Sequence, residues 1–362
     1  MVSTQSQSKT PKEDKDLLLA SQLACMSLVP MVVKAAIELN LLEIMAKAGP
    51  GKQLSASEIA AQLSTQNLDA PDMLERILRF LASNSILTCS VVSGDDGHVQ
   101  NLYGLTPVSK YFVPDQDGVS LAPLLLMIND KSYKESWYHL KDAVLEGGIP
   151  FNKAHGMPVY KYLGKDPSFN KICNEAMLSI SLSIMKSVLE IYEGFDNVNV
   201  VVDVGGGLGE NLHFITSKYP NIKGINYDLP HVIANAPEYL GVEHVSGDMF
   251  LCVPKGDIIF LKTIIHNWSD DHCLRLLKHC YEALPEDGKV VILEAILPES
   301  PESNFLEKDI FGMDLCMMVL QYGGKERTQK EYSDLAKASG FNGIRMVCQV
   351  HAFSVLEFSK TM

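Results

Sequence analysis

The sequence predicts an α/β protein in which a mostly helical N-terminal half precedes a C-terminal half built on a doubly wound parallel sheet. Three observations support this fold class. After about residue 196, short apolar segments alternate with amphipathic ones, as strands and helices do in a parallel sheet. Before that point, apolar residues recur mainly at helical spacing. A glycine-rich segment at 205–209 follows the first C-terminal strand and opens a helix, as in nucleotide-binding sheets.

Composition limits the class of protein and its partners. The chain has 362 residues, of which 46% are hydrophobic and 21% charged, as in a globular protein of two or three domains. Its 31 basic and 44 acidic residues leave a net charge of -13, which argues against a nucleic-acid or anionic-membrane partner. The eight cysteines are scattered without a CxxC pair, which favours the cytoplasm and argues against a zinc module.

The N-terminal region begins with a polar segment, residues 1–16, that lacks the apolar core of a secretory signal, and we predict a loose tail. The apolar segment that follows, 17–45, contains residues that a membrane span tolerates poorly: Ser21, Gln22, Pro30, Lys34 and Glu38. We predict two buried helices in this segment, bent at Pro30.

Residues 55–105 have the pattern of a winged-helix-like unit. Ser55 and Glu58 have the spacing of a capping box, which begins a helix. A second helix is predicted over 71–87, where four apolar residues recur at helical spacing: Leu74, Ile77, Leu78 and Leu81. Two short strands joined by a turn at 93–98 then predict a β-hairpin.

Winged-helix units often bind DNA, so the charge of this region matters. Residues 1–118 hold nine basic and thirteen acidic residues. On the candidate recognition helix, Asp72 and Glu75 balance Arg76 and Arg79. A role in packing or dimerisation is therefore favoured over a noncatalytic DNA-binding regulator.

Three regions follow from these patterns. Residues 1–118 form the helical, winged-helix-like dimerisation domain, and 119–195 form a helical connection in which Gly194 is predicted to end the last helix. Residues 196–362 form the sheet domain, closed by an antiparallel pair of strands near the C-terminus.

The glycine-rich segment indicates the kind of cofactor. Gly205, Gly207 and Gly209 allow a tight turn and a close approach of the ligand to the backbone. In a dinucleotide site a third glycine would stand where this chain has Glu210, and that carboxylate would repel a pyrophosphate. A Rossmann-like site for a nucleoside without phosphates is favoured, and S-adenosylmethionine is such a cofactor.

Polar residues follow the next strands at the same edge of the predicted sheet. Asp228 is positioned to accept hydrogen bonds from ribose hydroxyls, and Asp248 with Met249 could frame the adenine. Lys262 and His266 fall at or just beyond the carboxyl end of the fourth strand, and Glu294 ends the fifth. Because ligands of such sheets bind at the carboxyl ends of the strands, His266 is predicted to face the cofactor as a base.

These residues lie within longer motifs that resemble the plant caffeic acid-type, S-adenosylmethionine-dependent O-methyltransferase family. The resemblance extends from about residue 17 over nearly the whole chain. It is carried by these segments: "VVDVGGGLG", "INYDLPHVI", "GVEHVSGDMF", "HNWSDDHCLRLLKHCYEALPEDGKVVI" and "GGKERTQKEYSDLAKASGF".

The resemblance implies a role for each matching position. His266 matches the general base, bracketed by Glu294 and Glu326. The implied cofactor contacts are Gly205, Asp228, Leu229, Asp248, Met249 and Lys262. The implied acceptor pocket contains Met127, Ile128, Phe169, Met177, Ile180, Asn267, Met313, Met317 and Gln321. The family also implies a homodimer formed through the N-terminal half, a cytosolic location and no metal.

Some positions depart from the family pattern. Asn267 stands where the residue after the base is usually Asp. Ile180 replaces a histidine of caffeate-type members, and Ile128 and Gln321 stand where asparagines are common. The acceptor pocket is therefore predicted to be more apolar than a caffeate site. A bulkier phenol, such as a flavonoid or a benzylisoquinoline-type alkaloid, is our hypothesis for the acceptor.

Two other enzyme classes remain as alternatives. One is an N-methyltransferase for an aromatic amine such as an anthranilate-, acridone- or quinolone-like acceptor, whose nitrogen lone pair needs no base. The other is a magnesium-dependent methyltransferase using Asp270, Asp271 and His272. Consecutive residues at a helix start point in different directions, so a helix N-terminus with favourable acidic residues is the preferred interpretation.

Overall fold

The computed structural model describes residues 14–93, 99–116 and 118–361. The chain forms two compact units, the first ending at Asn129 and the second beginning at Asp130. The predicted division at residues 118 and 195 stays a proposal. Most of the predicted N-terminal tail, and residues 94–98 of the predicted hairpin turn, lie outside the described residues.

The first unit combines helices with one β-hairpin. Its described helices are α1 (Lys15–Ala24), α2 (Leu28–Glu38), α3 (Leu41–Lys47), α4 (Ala56–Ala60), α5 (Ala70–Ser83), α6 (Pro107–Lys110) and α7 (Ala122–Ile128). Strands β1 (Leu87–Ser93) and β2 (Val99–Leu105) pair antiparallel, as predicted.

The winged-helix-like pattern of this unit is confirmed by its contacts. The capping box is formed: the side chain of Ser55 accepts from the backbone N–H of Glu58, and Glu58 accepts from the backbone N–H of Ser55. Glu75 of α5 accepts hydrogen bonds from the side chains of Asn101 (2.7 Å) and Tyr103 (2.9 Å) on β2. These bonds hold the helix against the hairpin, over a core formed by α2 to α5 and both strands.

The prediction for the first apolar segment was wrong in two respects. The helix breaks between Ala24 and Leu28, and Pro30 lies in the first turn of α2, where a proline removes no helical hydrogen bond. In addition, α1 has no buried residue. Its four leucines, at positions 17, 18, 19 and 23, are each more than half exposed, so the helix lacks a partner within its own unit.

The second unit contains a mixed sheet and its covering helices. Its described helices are α8 (Lys131–Trp137), α9 (Leu140–Glu146), α10 (Pro150–His155), α11 (Val159–Leu163), α12 (Pro167–Ile191), α13 (Glu210–Lys218), α14 (Pro230–Ile233), α15 (Asp270–Ala283), α16 (Phe305–Leu320) and α17 (Gln329–Ala338). Its strands are β3 (Val200–Val204), β4 (Lys223–Asp228), β5 (Val242–Ser246), β6 (Ile258–Lys262), β7 (Lys289–Leu297), β8 (Arg327–Thr328), β9 (Gly343–Val350) and β10 (Phe353–Ser359).

The sheet has the doubly wound topology that the alternating segments predict. Its strand order is β5-β4-β3-β6-β7-β10-β9, and the short β8 pairs with β7 beside this path. Strands β3 to β7 are parallel, whereas β10 and β9 are antiparallel. The strand order reverses direction between β3 and β6, and ligands of open α/β sheets bind at such a switch point.

Both faces of the sheet are covered because its central strands are apolar on both sides. Along β6, Ile258 and Phe260 pack into one core, with α12, α13 and α16. Ile259 and Leu261 pack into the other, with α15 and α17. This alternation follows from the two-residue period of a strand.

Helix α12 ends earlier than predicted. Its last residue is Ile191, and Tyr192 is extended, so Gly194 is not the helix stop. A side chain at Gly194 would collide with the ring of Tyr192, which explains the glycine. The Tyr192 hydroxyl donates to Glu357 on β10 at 2.6 Å.

Two helical segments meet a length and composition criterion for crossing a membrane. They are α12 and, if the bent pair formed one span, α1 with α2. The core helix of a globular protein meets the same criterion. In α12, Ile184, Met185 and Val188 are buried in the core of the second unit.

Candidate active site

The glycine-rich loop lies at the switch point of the sheet, between β3 and α13. Gly205, Gly207 and Gly209 all have positive φ angles, as the tight turn requires. A Cβ at Gly205 would lie 2.5 Å from the side chain of Ile264. Gly206, which the glycine spacing did not single out, is equally constrained: a Cβ there would lie 2.3 Å from Asn226 Oδ1.

Two side chains of β4 hold this loop. Asp228 Oδ2 accepts from the backbone N–H of Gly207 at 2.9 Å, while Oδ1 accepts from its neighbour Leu229. Asn226 donates through Nδ2 to the carbonyl of Gly207 at 2.9 Å, and the same nitrogen lies 3.0 Å from His244 Nδ1. Sequence reasoning missed Asn226, which lies within a strand and carries no motif of its own.

A buried carboxylate lies beneath the loop. Asp203, the fourth residue of β3, is only 1% exposed and accepts from Asn211 Nδ2 at 3.1 Å. Burial raises the pKa of Asp203 to about 7, although Asn211 and the charge of Lys262 oppose the rise. Sequence reasoning also missed Asp203 as a site residue, because the sequence does not show which side of the strand its carboxyl group faces.

The other predicted cofactor residues lie at the same edge of the sheet. Leu229 follows β4 and is 44% exposed. Asp248 and Met249 follow β5 by two and three residues, and Asp248 Oδ1 accepts from the backbone N–H of Phe250 at 2.9 Å. Lys262 ends β6 and is buried, with Nζ donating to Ser181 of α12 at 2.8 Å. Burial lowers the pKa of Lys262, against the opposing charges of Asp203 and Glu294.

His266 lies on a single 3₁₀ turn, Ile265–Asn267, just beyond β6. The backbone leaves the strand at Thr263, whose φ is 52°. The amide of Asn267 donates to the carbonyl of Thr263 at 2.8 Å and so stabilises this bend. The side chain of His266 is 12% exposed, so the turn presents a largely buried imidazole at the edge of the sheet.

Two buried glutamates contact the imidazole of His266. Glu326 Oε1 lies 2.8 Å from Nδ1, within hydrogen-bond distance, and Glu294 Oε2 lies 3.5 Å from the same nitrogen. Glu326 is close because the segment that follows it, β8, pairs with the end of β7. The prediction that Glu294 ends its strand was wrong, because β7 continues to Leu297. The parallel pairing of β7 with β6, however, stops one residue before Glu294.

Glu294 also supports the backbone of the turn. Its Oε1 atom accepts from the backbone N–H groups of Ile264 and Ile265, each at 2.8 Å. Its Oε2 atom and Glu326 Oε2 are buried without a hydrogen-bond partner among the described residues. The backbone of the turn therefore fixes Glu294, while Glu326 contacts the imidazole itself.

The protonation of this cluster reflects its burial. Burial acts to lower the pKa of His266, but the charge of Glu294 and the hydrogen bond to Glu326 outweigh it and raise the pKa above its usual value. Burial raises the pKa of Glu294 to about 7, aided by the charge of Glu326 and opposed by His266. A proton on Nδ1, held by Glu326, leaves the lone pair of the imidazole on Nε2.

The magnesium alternative is not supported by the positions of its ligands. Asp270 is engaged by Arg327 at 2.7 Å, and His272 Nδ1 lies 2.9 Å from the hydroxyl of Ser269. Among the described residues, a grouping with metal-ligand composition occurs at His266, Glu294 and Glu326. These three side chains lie close together because Nδ1 of His266 is hydrogen-bonded to Glu326.

The predicted acceptor residues fall on several elements. In the second unit, Phe169, Met177 and Ile180 lie on α12, and Met313, Met317 and Gln321 lie on or directly after α16. Ile180 and Met313 pack against the same apolar core, Phe169 is buried, and Met177 is 49% exposed. Met127 and Ile128 lie on α7 in the first unit. The acceptor role of all these residues stays a prediction.

Comparisons with known proteins agree with the predicted fold and family. Residues 137–342 match the model of the O-methyltransferase domain, and residues 21–115 match that of the O-methyltransferase dimerisation domain. The caffeic acid 3-O-methyltransferase of Catharanthus roseus is 56% identical over 353 residues, which cover 98% of this chain and 97% of the relative. That of Medicago sativa is 57% identical over 343 residues, or 95% and 94% of the two chains.

Solved structures of more distant proteins share the fold. Human N-acetylserotonin methyltransferase, in complex with S-adenosylmethionine, has a TM-score of 0.82 at 23% identity and covers 98% of this chain and all of that one. The methyltransferase CalO1 of calicheamicin biosynthesis has a TM-score of 0.80 at 24% identity, covering 96% and 99%.

These matches decide between the alternatives raised by the sequence. The matching domain models and the most similar relatives are O-methyltransferases, so neither an N-methyltransferase nor a noncatalytic regulator is favoured. The predicted fold class, with a dimerisation domain before a methyltransferase domain, is confirmed. The chain belongs to the plant caffeic acid-type, S-adenosylmethionine-dependent O-methyltransferase family.

Proposed function

We propose that this enzyme methylates a phenolic hydroxyl of a plant phenylpropanoid or related phenol, with His266 as general base. The observation that carries the proposal is the 2.8 Å contact between His266 Nδ1 and the buried Glu326, which directs the free lone pair to Nε2. Two relatives that share more than half of their residues with this chain bear the name caffeic acid 3-O-methyltransferase.

The chemistry requires such a base. A phenol has a pKa near 10, so about one molecule in a thousand is ionised at neutral pH. His266 accepts the phenolic proton at Nε2 as the oxygen attacks, and Glu326 stabilises the resulting imidazolium at Nδ1. Glu294 keeps the turn in place through its bonds to the backbone. When bound, S-adenosylmethionine supplies an electrophilic methyl group on a positively charged sulfur.

The residues at the switch point fit that cofactor. The positive φ angles at Gly205 and Gly207 make the tight turn, and the space beside the Cα of Gly207 is open, with nothing within 4 Å of an added Cβ. Asp228 is held at the loop by Gly207 and offers a carboxylate to ribose hydroxyls. Glu210 lies at the start of α13, where a pyrophosphate would bind, and its carboxyl group disfavours such a ligand. Burial raises the pKa of Glu210.

On the acceptor side, the proposed pocket is apolar. Ile180 and Met313 are partly buried against one apolar core and support an apolar wall on the acceptor side. With Ile180 in place of a histidine and Gln321 in place of a common asparagine, we propose that the pocket also accepts phenols bulkier than caffeate, such as flavonoid or alkaloid phenols. Turnover of a panel of these phenols, with product mass and position determined, distinguishes these acceptors.

We also propose a homodimer in the cytoplasm. The match of residues 21–115 to a dimerisation domain and the exposed leucines of α1 support self-association. All eight cysteines are free, which is consistent with a reducing compartment. The acidic balance of the chain supports neither a nucleic-acid nor an anionic-membrane partner.

The central experiment replaces the base. In His266→Gln, we expect methyl transfer from labelled S-adenosylmethionine to a phenolic acceptor to fall by about 10²- to 10⁴-fold, the usual contribution of general base catalysis. Calorimetric binding of S-adenosylmethionine should be retained, which shows that the site is folded. His139→Gln is the matched control because the imidazole of His139, before α9, contacts Asp142 at the start of that helix, and the change should leave turnover unchanged.

Three outcomes contradict the proposal. Retained phenol methylation in His266→Gln would show that His266 is not the base. Methylation of an aromatic amine by the parent enzyme, without turnover of any phenol, would show that nitrogen is the acceptor atom. Absence of S-adenosylmethionine binding in the parent enzyme contradicts the cofactor assignment.

A further inference from the structure

Arg327 is a fully buried cation that directly follows Glu326. It is 0% exposed and is among the largest fully buried side chains of the described residues. A guanidinium remains charged at any ordinary pH, so its burial carries a large desolvation cost unless its donors are satisfied. The contacts that satisfy it indicate what the residue does.

The guanidinium bonds to both sides of the turn that carries His266. Its Nη1 donates to the carbonyl of Ile265 at 2.9 Å, and its Nη2 donates to the carbonyl of Trp268 at 2.7 Å. These two carbonyls precede and follow the segment 266–267. A single planar group therefore spans the turn and limits its rotation relative to the strand that bears Arg327.

Asp270 anchors the same guanidinium from the start of α15. Its Oδ1 atom accepts from Nε at 3.0 Å and from Nη2 at 2.7 Å. The side chain of Asp270 is 55% exposed, whereas that of Arg327 is fully buried. The carboxylate thus neutralises the cation from the solvent side and keeps the plane of the fork directed at the two carbonyls.

Backbone contacts join the two segments at the neighbouring residue. The N–H of Lys325 donates to the carbonyl of His266 at 2.9 Å. The turn that bears His266 is therefore hydrogen-bonded to the segment that bears Glu326. Lys325 makes this connection before Glu326, and Arg327 makes it after Glu326. The 2.8 Å contact between His266 Nδ1 and Glu326 depends on the relative position of these segments.

We propose that Arg327 is a positioning residue for methyl transfer: its guanidinium, oriented by Asp270, fixes the His266 turn against the segment that bears Glu326. The proposal rests on the proposed function of His266 as the base. Arg327 itself bonds to the backbone of the turn and acts through His266. Lysine cannot replace it, because a tetrahedral ammonium lacks the planar fork that reaches both carbonyls and Asp270 together.

The first test is Arg327→Lys, which keeps the charge. We expect kcat to fall about 10- to 100-fold, since a displacement of about 1 Å in a reacting group has an effect of this size. The affinity for S-adenosylmethionine should stay within about twofold, and the acidic limb of kcat/KM against pH should move to lower pH as His266 loses its bond to Glu326. Arg345→Lys is the matched control, because Arg345 is 69% exposed and pairs with Glu357 far along the sheet.

A second readout does not depend on activity. In the parent enzyme, the proton between His266 Nδ1 and Glu326 should give a strongly downfield imidazole N–H resonance that disappears in Glu326→Gln. We expect this resonance to weaken or vanish in Arg327→Lys and to persist in Arg345→Lys. If His266→Gln keeps its activity, the proposed base fails, but this resonance still decides whether Arg327 positions the imidazole.

Asp270→Asn is the companion variant in case Arg327→Lys does not fold. The side chain of Asp270 is half exposed, so this substitution creates no buried cavity. We expect kcat to fall by about 3- to 10-fold, with the same changes in the pH limb and the resonance. Two results overturn the proposal: an unchanged resonance and pH limb in both variants, or a fall in Tm with kcat per folded enzyme unchanged. Either result would make Arg327 a purely structural residue.

Discussion

At the scale of the residue, the central feature is how the charge of one histidine is controlled. His266 is largely buried, yet its pKa is raised because Glu294 and Glu326 contribute more than the loss of solvation. A general base needs a pKa near the working pH, where it is both largely neutral and sufficiently basic. Two carboxylates behind the imidazole supply this rise, Glu294 from β7 and Glu326 from the segment that leads into β8.

The first prediction concerns the pH dependence of turnover. Because the pKa of His266 is raised, the acidic limb of kcat/KM should have a midpoint above the ordinary histidine value of about 6.5. In Glu326→Gln the hydrogen bond becomes neutral, the pKa falls, and the limb should move to lower pH while kcat decreases. A limb that stays in place in this variant would show that another group controls the profile.

The second prediction concerns the pH dependence of stability. The raised pKa of Asp203 means that the folded protein holds a proton that the unfolded chain releases, so this group costs stability as pH rises from about 4 to about 7. Asp203→Asn does not titrate and can still accept from Asn211. Its free energy of unfolding, measured by urea titration, should therefore increase relative to the parent as pH rises from about 4 to about 7.

At the scale of the element, the glycine-rich loop is held by side chains of the neighbouring strand as much as by its own glycines. Asn226 and Asp228 both bond to Gly207, and Asn226 also fills the space beside Gly206. Positive φ at Gly205 can be expected from the sequence, because a tight strand-to-helix turn requires it. The constraint at Gly206 cannot, since it arises from residues that are close only in the folded sheet.

The third prediction tests that constraint. In Gly206→Ala, the new methyl group would lie 2.3 Å from Asn226 Oδ1 and 2.6 Å from Asp203 Oδ2, so the loop must move. We expect the Kd for S-adenosylmethionine, measured by calorimetry, to rise about tenfold or more. Gly312→Ala on α16 is the control because nothing lies within 4 Å of the added Cβ, and it should stabilise the helix by about 0.5–1 kcal/mol. Equal affinity in the two variants would contradict the close contact.

At the scale of the whole molecule, the two units differ in how completely they cover their apolar surface. The sheet of the second unit is covered on both faces by helices. In the first unit, α1 carries four leucines that are each more than half exposed. A second copy of the chain would explain such a surface, because contiguous exposed apolar residues mark interaction sites.

The fourth prediction follows from that surface. Leu19 and Leu23 are 55% and 58% exposed and lie one helical turn apart on α1, so their joint replacement by Asp should disrupt an interface there. We expect the molar mass measured by light scattering to fall from that of a dimer toward that of a monomer. Leu240→Asp is the control, because Leu240 is 95% exposed in the second unit and should leave the mass unchanged. A dimer that persists in the double variant would place the interface elsewhere.

The structure departs from the sequence prediction at the first helices and at Glu294. Pro30 was expected to mark the bend, but a proline in the first turn of a helix causes none, and the chain breaks earlier. Glu294 was expected at a strand end, whereas β7 continues past it to pair with β8. For Glu294, the sequence shows the residue but does not show that β8 will pair with the end of its strand.

The sequence alone determined the doubly wound sheet, the order of its strands along the chain, the glycine loop and the family, because local periodicity and motif spacing depend on residues that are near each other in the chain. Only the tertiary structure decided that Asn226 holds the loop, that Asp203 is buried with a raised pKa, and that Arg327 joins the His266 turn to Glu326. Hydrogen bonds and desolvation at these positions depend on contacts between residues that are distant in sequence, and folding alone brings those residues together.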